Sequence, residues 1–253
     1  MRQFKIWNHD RTEAFDFKTH GCLITEVSGL GIKFSTALAN GVVVDFRKEF
    51  EDITLMANFG IKANAYTAFT NFATFISANG KNKLVLEYSV NGRTLFADVW
   101  INRIPKTQKT NFNILTETIV FTRLSYWYTL VTGTIPTTPA SIQIDNTFFE
   151  QILVDVEIKA STPADFKITT KNAQGTVVSE IIIPSQLIAG TLTLFAEDKI
   201  VDRFTAGSHS NGYNLVSRAG DTFLVIDKGL HYINTNASVT NQPVVTYKKW
   251  VID

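Results

Sequence analysis

The sequence has few of the residues that build disulfides, metal clusters or membrane spans. Cys22 is its single cysteine, which excludes an internal disulfide and any zinc site made of several thiolates. No apolar run suits a membrane helix of ~20 residues, because the most apolar stretch, residues 181–196, contains proline, serine, glutamine and glycine. The histidines are too scattered to share a metal ion: His9, His20, His209 and His231. We therefore predict no metal, no cofactor and no membrane span.

An excess of charge of either sign is also missing. The chain has 24 Lys plus Arg and 23 Asp plus Glu, and this balance gives no electrostatic reason to bind nucleic acid or a membrane surface. Charged residues are spread through the first fifteen positions, where a secretory signal would be apolar, so we expect a protein that stays in the cytoplasm where it is made. A length of 253 residues, of which 45% are hydrophobic, can fill the cores of about two domains.

No motif points to catalysis. Gly29-Leu30-Gly31 begins like a dinucleotide-binding loop, but Phe34 stands where the third glycine is needed, so this segment predicts a turn. The segment Gly207–Ser210 lacks the spacing of a nucleophile elbow and is interpreted as a polar loop. Asp155 and Glu157 could serve as acids in a glycan-degrading or peptidoglycan-degrading enzyme, yet they share one face of a regular strand and resemble a solvated edge. We predict that the protein is not an enzyme.

The patterns that are present are mostly those of β-strands. One helix is predicted, with Asn64 as its N-cap, apolar residues at helical spacing, and Asn79-Gly80 at its end. The segment Thr132–Pro139 contains two prolines and four threonines and predicts a linker. Short alternating runs beyond it predict an antiparallel sandwich. These runs are Ile152–Lys159, Phe166–Thr170, Val177–Ile183, Thr191–Ala196, Ile200–Phe204, Phe223–Ile226, His231–Asn234 and Val244–Val251.

Residues Thr94–Tyr128 predict two long strands that are apolar on both faces. Side chains alternate along a strand, so the first strand has two apolar faces. Leu95, Ala97, Val99 and Ile101 point one way, and Phe96, Trp100 and Ile104 point the other. The second strand, Glu117–Tyr128, repeats this pattern. A single helix can cover only one face of a sheet, so the other face must find a partner, and we expect the subunit to be part of a larger assembly.

These segments together resemble the distal tail proteins of long, non-contractile-tailed bacteriophages, above all the compact members from phages of lactococci and related hosts. The resemblance rests on the segments Gly21–Gly31, Ala97–Ile104, Glu117–Tyr128, Ile144–Asn146 and Asp221–Ile233, and on the predicted helix. It implies a mainly β chain. Residues 1–132 would be an α+β belt domain with one helix that forms a ring, and residues 133–253 a galectin-like antiparallel β-sandwich.

The resemblance also implies a structural function. The belt domains would close into a homohexamer, as one ring or two stacked rings, at the tail tip of the virion after assembly in the host cytoplasm. This ring would join the major tail tube protein to the tail-tip protein and would anchor peripheral baseplate proteins. DNA would pass through its lumen without specific binding. For the subunit interface we predict Phe96, Trp100, Ile104, Tyr126 and Tyr128.

The alternative is a carbohydrate-binding or host receptor-binding module. It is suggested by aromatic residues of the second half, Tyr213, Tyr232, Tyr247 and Trp250, although core packing also accounts for strand aromatics. The chain has no room for the inserted carbohydrate-binding module of longer family members. We therefore expect the sandwich to be a docking platform for proteins, and the sequence leaves open which way these rings point.

Overall fold

The computed structural model of the chain describes residues 3–39, 42–62, 64–104, 110–111, 113–137, 141–159, 162–185, 187, 190–217, 220–237 and 241–251. These residues divide between two compact units. The first contains Met1–Thr129 and Trp250–Asp253, and the second contains Leu130–Lys249. The prediction of a mainly β chain with antiparallel sheets and one α-helix is confirmed. The galectin-like character of the second half and the functional domain division at residue 132 stay predictions.

The first unit is built on one antiparallel sheet with the strand order β2-β1-β7-β8-β10-β6-β3. Strands β4 and β5 pair with each other as a hairpin, and β9 pairs with β10. The bounds are β1 Gln3–Trp7, β2 Ala14–Asp16, β3 Cys22–Ser28, β4 Ile32–Ala39, β5 Val42–Phe50, β6 Ile53–Phe59, β7 Leu84–Val90, β8 Arg93–Arg103, β9 Thr110–Asn111, β10 Ile114–Arg123 and β11 Trp127–Thr134.

The prediction of one continuous strand over Glu117–Tyr128 is wrong. Strand β10 ends at Arg123 and β11 begins at Trp127. Between them the chain turns on the backbone of Asp98: Leu124 N donates to Asp98 O at 2.8 Å, and Asp98 N donates to the Ser125 hydroxyl at 2.9 Å. The Ser125 hydroxyl thus takes the place of the backbone carbonyl that would accept from Asp98 N in a continuous strand pair. The alternation of apolar residues in the sequence cannot reveal such a substitution.

Helix α1, Ala65–Asn79, forms as the sequence predicts. The Asn64 side chain caps it by accepting from Tyr66 N and Thr67 N. At its end Gly80 is right-handed, with φ of −73°, and the residue must be small because a Cβ atom would lie 2.6 Å from Ile76 O. Its apolar side packs on β6 and β10, where Phe72 is in ring contact with Phe15, Phe17, Phe59 and Phe69.

The second unit contains two antiparallel sheets. One has the order β18-β17-β16-β13-β21, with β19 also paired to β13, and the other has the order β12-β20-β14-β15. Each sheet buries one face, as in β13, whose apolar side chains alternate with partly exposed ones. The bounds are β12 Ser141–Asn146, β13 Ile152–Lys159, β14 Phe166–Asn172, β15 Val177–Ile183, β16 Thr191–Phe195, β17 Ile200–Thr205, β18 Ser208–Asn211, β19 Leu224–Ile226, β20 Gly229–Thr235 and β21 Val244–Val251; Tyr213–Leu215 is a 3₁₀ helix.

The interpretation of Gly207–Ser210 as a polar loop is wrong. Residues Ser208–Asn211 form the edge strand β18, which pairs with β17 through a two-residue turn. Both turn residues have positive φ, 51° at Ala206 and 81° at Gly207, as a tight hairpin requires. Alanine seldom adopts this conformation, so the sequence carries no recognisable hairpin signal. Asn91-Gly92, by contrast, shows the expected signal and does form the turn between β7 and β8.

Candidate interface surfaces

The sheet of the first unit has a second face opposite helix α1. The strand register places side chains from β3, β6, β8 and β10 on it, for example Leu23 opposite Asn58 and Trp100 opposite Thr122. We call this surface the outer sheet face. Trp100 is its largest apolar side chain and is 40% exposed. The face consists of Leu23, Met56, Asn58, Trp100, Thr116, Thr118, Val120 and Thr122.

The outer sheet face is more polar than the two-sided apolar pattern predicts. Its hydroxyl and amide groups bond to one another: Thr116 donates to Asn58 Oδ1 at 2.7 Å, and Asn102 Nδ2 donates to the Thr122 hydroxyl at 2.6 Å. The Thr122 hydroxyl in turn donates to Asp52 Oδ1 at 3.0 Å. Apolar side chains are therefore set in a hydrogen-bonded polar surface, which is the composition of a protein interface as well as of a solvated sheet.

The five residues predicted for a subunit interface do not form one exposed surface in the protomer. Trp100 lies on the outer sheet face, and Ile104 packs half-buried against the core. Tyr126 and Tyr128 are almost completely buried, because Trp250 stands edge-on to both rings, at centroid distances of 6.1 and 5.7 Å. Phe96 is half-buried, 6.0 Å from the Tyr128 ring. Of the five predicted residues, Tyr126 and Tyr128 are thus covered within the protomer itself, and Trp100 is exposed.

Tyr128 belongs to a buried polar network that the sequence did not suggest. Its hydroxyl donates to Asp98 Oδ1 at 2.7 Å and accepts from Arg11 Nη2 at 2.5 Å. Lys83 Nζ lies 3.6 Å from the other Asp98 oxygen, and the Arg11 guanidinium stacks 4.7 Å from the Phe96 ring. The negative charge of Asp98 is thereby balanced by Lys83 through an ion pair and by Arg11 through the Tyr128 hydroxyl. These contacts fix the corner between β8 and β11.

Arg123 ties a second part of this corner to the turn between β3 and β4. Its guanidinium donates to Leu30 O at 2.7 Å and to Gly31 O at 2.6 Å, and Trp127 Nε1 also donates to Leu30 O. Burial lowers the pKa of Arg123, and the charge of Glu51 opposes that shift. Gly29-Leu30-Gly31 is thus a clamped turn leading into strand β4, in agreement with the interpretation that it is not a dinucleotide-binding loop.

In the second unit the most exposed large apolar side chain among the described residues is Phe149, at 56%. Its ring stacks on Phe148 with centroids 4.5 Å apart. Buried Asn146 fixes this loop by donating to Glu150 O at 2.9 Å and accepting from Phe148 N at 3.1 Å. The sequence signal for this feature, two adjacent phenylalanines after Ile144–Asn146, was not used in the predictions.

The aromatic residues suggested for sugar binding differ in their surroundings. Trp250 belongs to the first unit and packs on Tyr126 and Tyr128. Tyr232 and Tyr247 are half-buried, and burial raises the pKa of Tyr247. Tyr213 is 42% exposed. Only one of the four rings, therefore, lies open beside a groove in the part of the chain that the structure describes.

The suggested acids have different environments. Burial raises the pKa of Asp155 to about 6, with Glu197 and Asp198 adding to the rise, while Ala196 N donates to its carboxylate at 2.7 Å. Glu157 forms an ion pair with Lys159 at 2.8 Å. Within the described ranges no three His, Cys, Asp or Glu side chains are grouped to hold a metal ion. The single described α-helix is too short to span a bilayer.

Comparison with known proteins relates the chain to bacteriophage tails. Residues 3–124 match the family model described as the distal tail protein, N-terminal domain. The fold resembles a chain in the structure of the phage p2 baseplate in its activated conformation with Sr, at 16% identity and a TM-score of 0.75, with 99% of each chain covered. The corresponding structure with Ca gives 16% identity and a TM-score of 0.73 at the same coverage.

A third similar structure is the SPP1 Dit protein, described as a paradigm of hub adsorption apparatus in phages that infect Gram-positive hosts. Identity is 13% and the TM-score is 0.60, covering 98% of this chain and 99% of that one. At such identities these likenesses concern the fold. No curated protein sequence matches the chain.

Proposed function

Since this chain belongs to the distal tail protein family through the domain at residues 3–124, we propose that it is the structural hub of a bacteriophage tail tip or baseplate. The family match carries this proposal, and the fold shared over nearly the whole chain supports it. The hub acts without catalysis, as a ring of six copies or two stacked rings in the virion. It is assembled in the host cytoplasm, joins the tail tube protein to the tail-tip protein, and lets DNA pass through its lumen.

A near-neutral chain suits such a passage. A strongly basic lumen would retain the phosphate backbone, and a strongly acidic one would repel it. The formal net charge of +1 is compatible with transit without specific binding.

The outer sheet face is our proposed contact between neighbouring copies, with Trp100 as its largest apolar side chain. Of the five residues predicted at first, Trp100 is the one that a neighbour can reach most fully, whereas Tyr128 acts from within the protomer by shaping the corner. A tryptophan side chain offers up to ~250 Å², so 40% exposure leaves roughly 100 Å² to bury. At about 25 cal/mol per Å² this contributes about 2.5 kcal/mol per contact.

The test is assembly of the purified chain, measured by sedimentation velocity and by electron microscopy at micromolar concentration. We expect hexamers or paired hexamers for the wild type. Trp100→Asp should weaken each contact by about 70-fold or more and shift the population to monomers. Val177→Asp is the matched control, because Val177 is an exposed apolar strand residue of the second unit. A wild-type monomer, or a hexamer unaffected by Trp100→Asp, would contradict the ring or its proposed contact respectively.

For the peripheral baseplate proteins we propose the Phe149 loop as an anchor. Interfaces derive much of their affinity from a few aromatic side chains on rigid supports, and the Asn146 clamp holds this loop in place without a partner. Co-expression with the other tail-tip proteins of the same phage should give co-purification that Phe149→Ser abolishes and Val177→Ser preserves. Equal co-purification by both variants would place the anchor elsewhere.

A further inference from the structure

The sequence contains four Asn-Gly pairs, and the structure gives them different surroundings. Three lie among the described residues: Asn79-Gly80, Asn91-Gly92 and Asn211-Gly212. The fourth, Asn40-Gly41, lies outside them. An asparagine side chain can react with the backbone nitrogen of the next residue, and glycine favours this because it has no Cβ atom to hinder the approach. Whether a pair reacts in the native protein therefore depends on how the fold holds these two groups.

The reaction needs a glycine nitrogen and an asparagine side chain that are both free to move. The nitrogen attacks the side-chain Cγ atom, and its proton passes through the solvent to the Nδ2 atom. The Cγ–Nδ2 bond then breaks and ammonia leaves. Water opens the resulting cyclic imide at either carbonyl, which gives aspartate or isoaspartate, and no other co-reactant is needed. A nitrogen or an amide that is already hydrogen-bonded must first lose those bonds.

The Asn79-Gly80 pair is held at both groups where helix α1 ends. Gly80 N donates to Ile76 O at 2.6 Å. Asn79 Nδ2 donates to Phe75 O at 3.1 Å and to Glu13 Oε2 at 3.4 Å. Formation of the cyclic imide would require the last turn of the helix to open, so this pair should react slowly.

The Asn211-Gly212 pair is also held at both groups, at the end of β18. Gly212 N donates to Val201 O at 2.9 Å, and Asn211 Oδ1 accepts from Tyr213 N at 2.9 Å. The backbone lies close to the sheet here, since a Cβ atom on Gly212 would be 2.7 Å from Leu192 Cδ1. This pair should react slowly for the same reason.

The Asn91-Gly92 pair is open. It forms the tip of the hairpin between β7 and β8, where both residues are exposed and have positive φ, 50° at Asn91 and 78° at Gly92. Neither Gly92 N nor the Asn91 side chain forms a hydrogen bond with any residue that the structure describes. A Cβ atom on Gly92 would meet nothing within 4 Å. The two reacting groups can therefore move without breaking other contacts.

We propose that Asn91 is a site of spontaneous deamidation in the native protein, and that hydrogen bonds protect Asn79 and Asn211 from the same reaction. The product carries a new negative charge two positions before the exposed Arg93. Isoaspartate also adds a methylene group to the main chain of a two-residue turn, which the pair Val90 and Arg93 closes. The protein should therefore acquire a second charge form as it ages.

This inference goes beyond the hub role, since it requires neither a ring nor a protein partner. The same two residue types occur at each of these places, so the sequence predicts the same reactivity for all of them. The difference comes from the hydrogen bonds that the fold gives to two pairs and withholds from the third.

The test is incubation of the full-length native protein in mildly alkaline buffer, followed by peptide mass spectrometry, which detects replacement of NH2 by OH at each asparagine. We expect conversion of Asn91 to be at least about tenfold faster than that of Asn79 or Asn211, which corresponds to about 1.4 kcal/mol. In urea the protecting hydrogen bonds are lost. The three rates should then agree within about fivefold, or about 1 kcal/mol.

Hydroxylamine cleaves the cyclic imide, so it should cut the native chain after Asn91 and leave the chain uncut after Asn79 and Asn211. Asn91→Gly is the matched variant, because it removes the amide and keeps a residue that accepts positive φ. It should lose this cut, and slow conversion of Asn79 and Asn211 in the variant should verify that its fold is intact. Equal rates at the three asparagines in the native protein would overturn the proposal. So would a native Asn91 that stays unconverted while the chain in urea reacts.

Discussion

Replacing Tyr128 by phenylalanine should destabilise the first unit although it removes a single oxygen atom and leaves the ring packing intact. That oxygen donates to Asp98 at 2.7 Å and accepts from Arg11 at 2.5 Å. The Asp98 side chain is only 4% exposed, so its carboxylate cannot recover the lost bond from bulk water. A hydrogen bond to a charged group contributes about 1.5–3 kcal/mol. Since Lys83 still faces Asp98 and Arg11 is partly exposed, we expect a loss of about 2–3 kcal/mol.

The loss can be measured in the first unit alone. All four tryptophans, Trp7, Trp100, Trp127 and Trp250, belong to that unit, so intrinsic fluorescence during urea unfolding reports on it. With a slope of about 2 kcal/mol per M, the midpoint should fall by about 1–1.5 M. Protein concentration must be held constant, because assembly adds to apparent stability.

Tyr66→Phe is the control for loss of a tyrosine hydroxyl, because Tyr66 is exposed on helix α1. Its free energy of unfolding should change by no more than ~0.5 kcal/mol. Asp98→Asn keeps the shape of the side chain and removes its charge. If the network is cooperative, the effects of Tyr128→Phe and Asp98→Asn should fall short of additivity by about 0.5–3 kcal/mol. Equal midpoints for Tyr128→Phe and Tyr66→Phe would refute a stabilising role for the network.

Three further predictions concern single groups. Burial raises the pKa of Cys22 to about 12, so iodoacetamide at about pH 8 should alkylate the native protein much more slowly than the protein in urea; equal rates would contradict this. Burial raises the pKa of Asp155 to about 6, above its value of ~3.9 in an unfolded chain. The native state therefore binds this proton more tightly than the unfolded state does. The free energy of unfolding should fall as the pH rises from about 4 to 6. Asp155→Asn should flatten that part of the profile in thermal unfolding, and an unchanged slope would count against it. Gly29→Ala should lower the free energy of unfolding by at least ~2 kcal/mol, measured by tryptophan fluorescence, because the added Cβ atom would lie 1.9 Å from Asp52 O. Gly92 has nearly the same φ but open space around it, so Gly92→Ala should lower the free energy of unfolding by only about 1 kcal/mol. Equal losses would show that φ alone decides the effect.

The local patterns predicted many elements well. Strands β13, β15 and β21 have the predicted bounds, and helix α1 lies between the predicted cap and end. In each case the spacing of apolar residues matches the side-chain period of a strand or a helix, and the residues on either side of the element break that pattern. Strand β18 was missed because its four residues are polar and exposed. The predicted resemblance to distal tail proteins is confirmed by the family match over residues 3–124, although the residues from which it was predicted form only a loose pattern of hydrophobicity.

The candidate interface was predicted less well, and Tyr128 shows why. Its place in an apolar alternation suggested an exposed ring, but in the protomer it meets Asp98, thirty positions earlier, and Arg11 from the loop between β1 and β2. Whether an outward side chain stays outward depends on the segments that cross over it. Trp100, on the same strand as Asp98, is left exposed because the threonines of β10 lie beside it and no segment of the described protomer covers it.

The sequence by itself determined the β-rich class, the single helix, the lack of a disulfide and the near-neutral charge, because composition and short-range periodicity are properties of neighbours along the chain. Only the tertiary structure decided that Tyr128 is buried and that Trp100, Phe149 and Tyr213 are open. Periodicity assigns a side chain to one face of its own strand. What then lies against that face is set by residues tens of positions away.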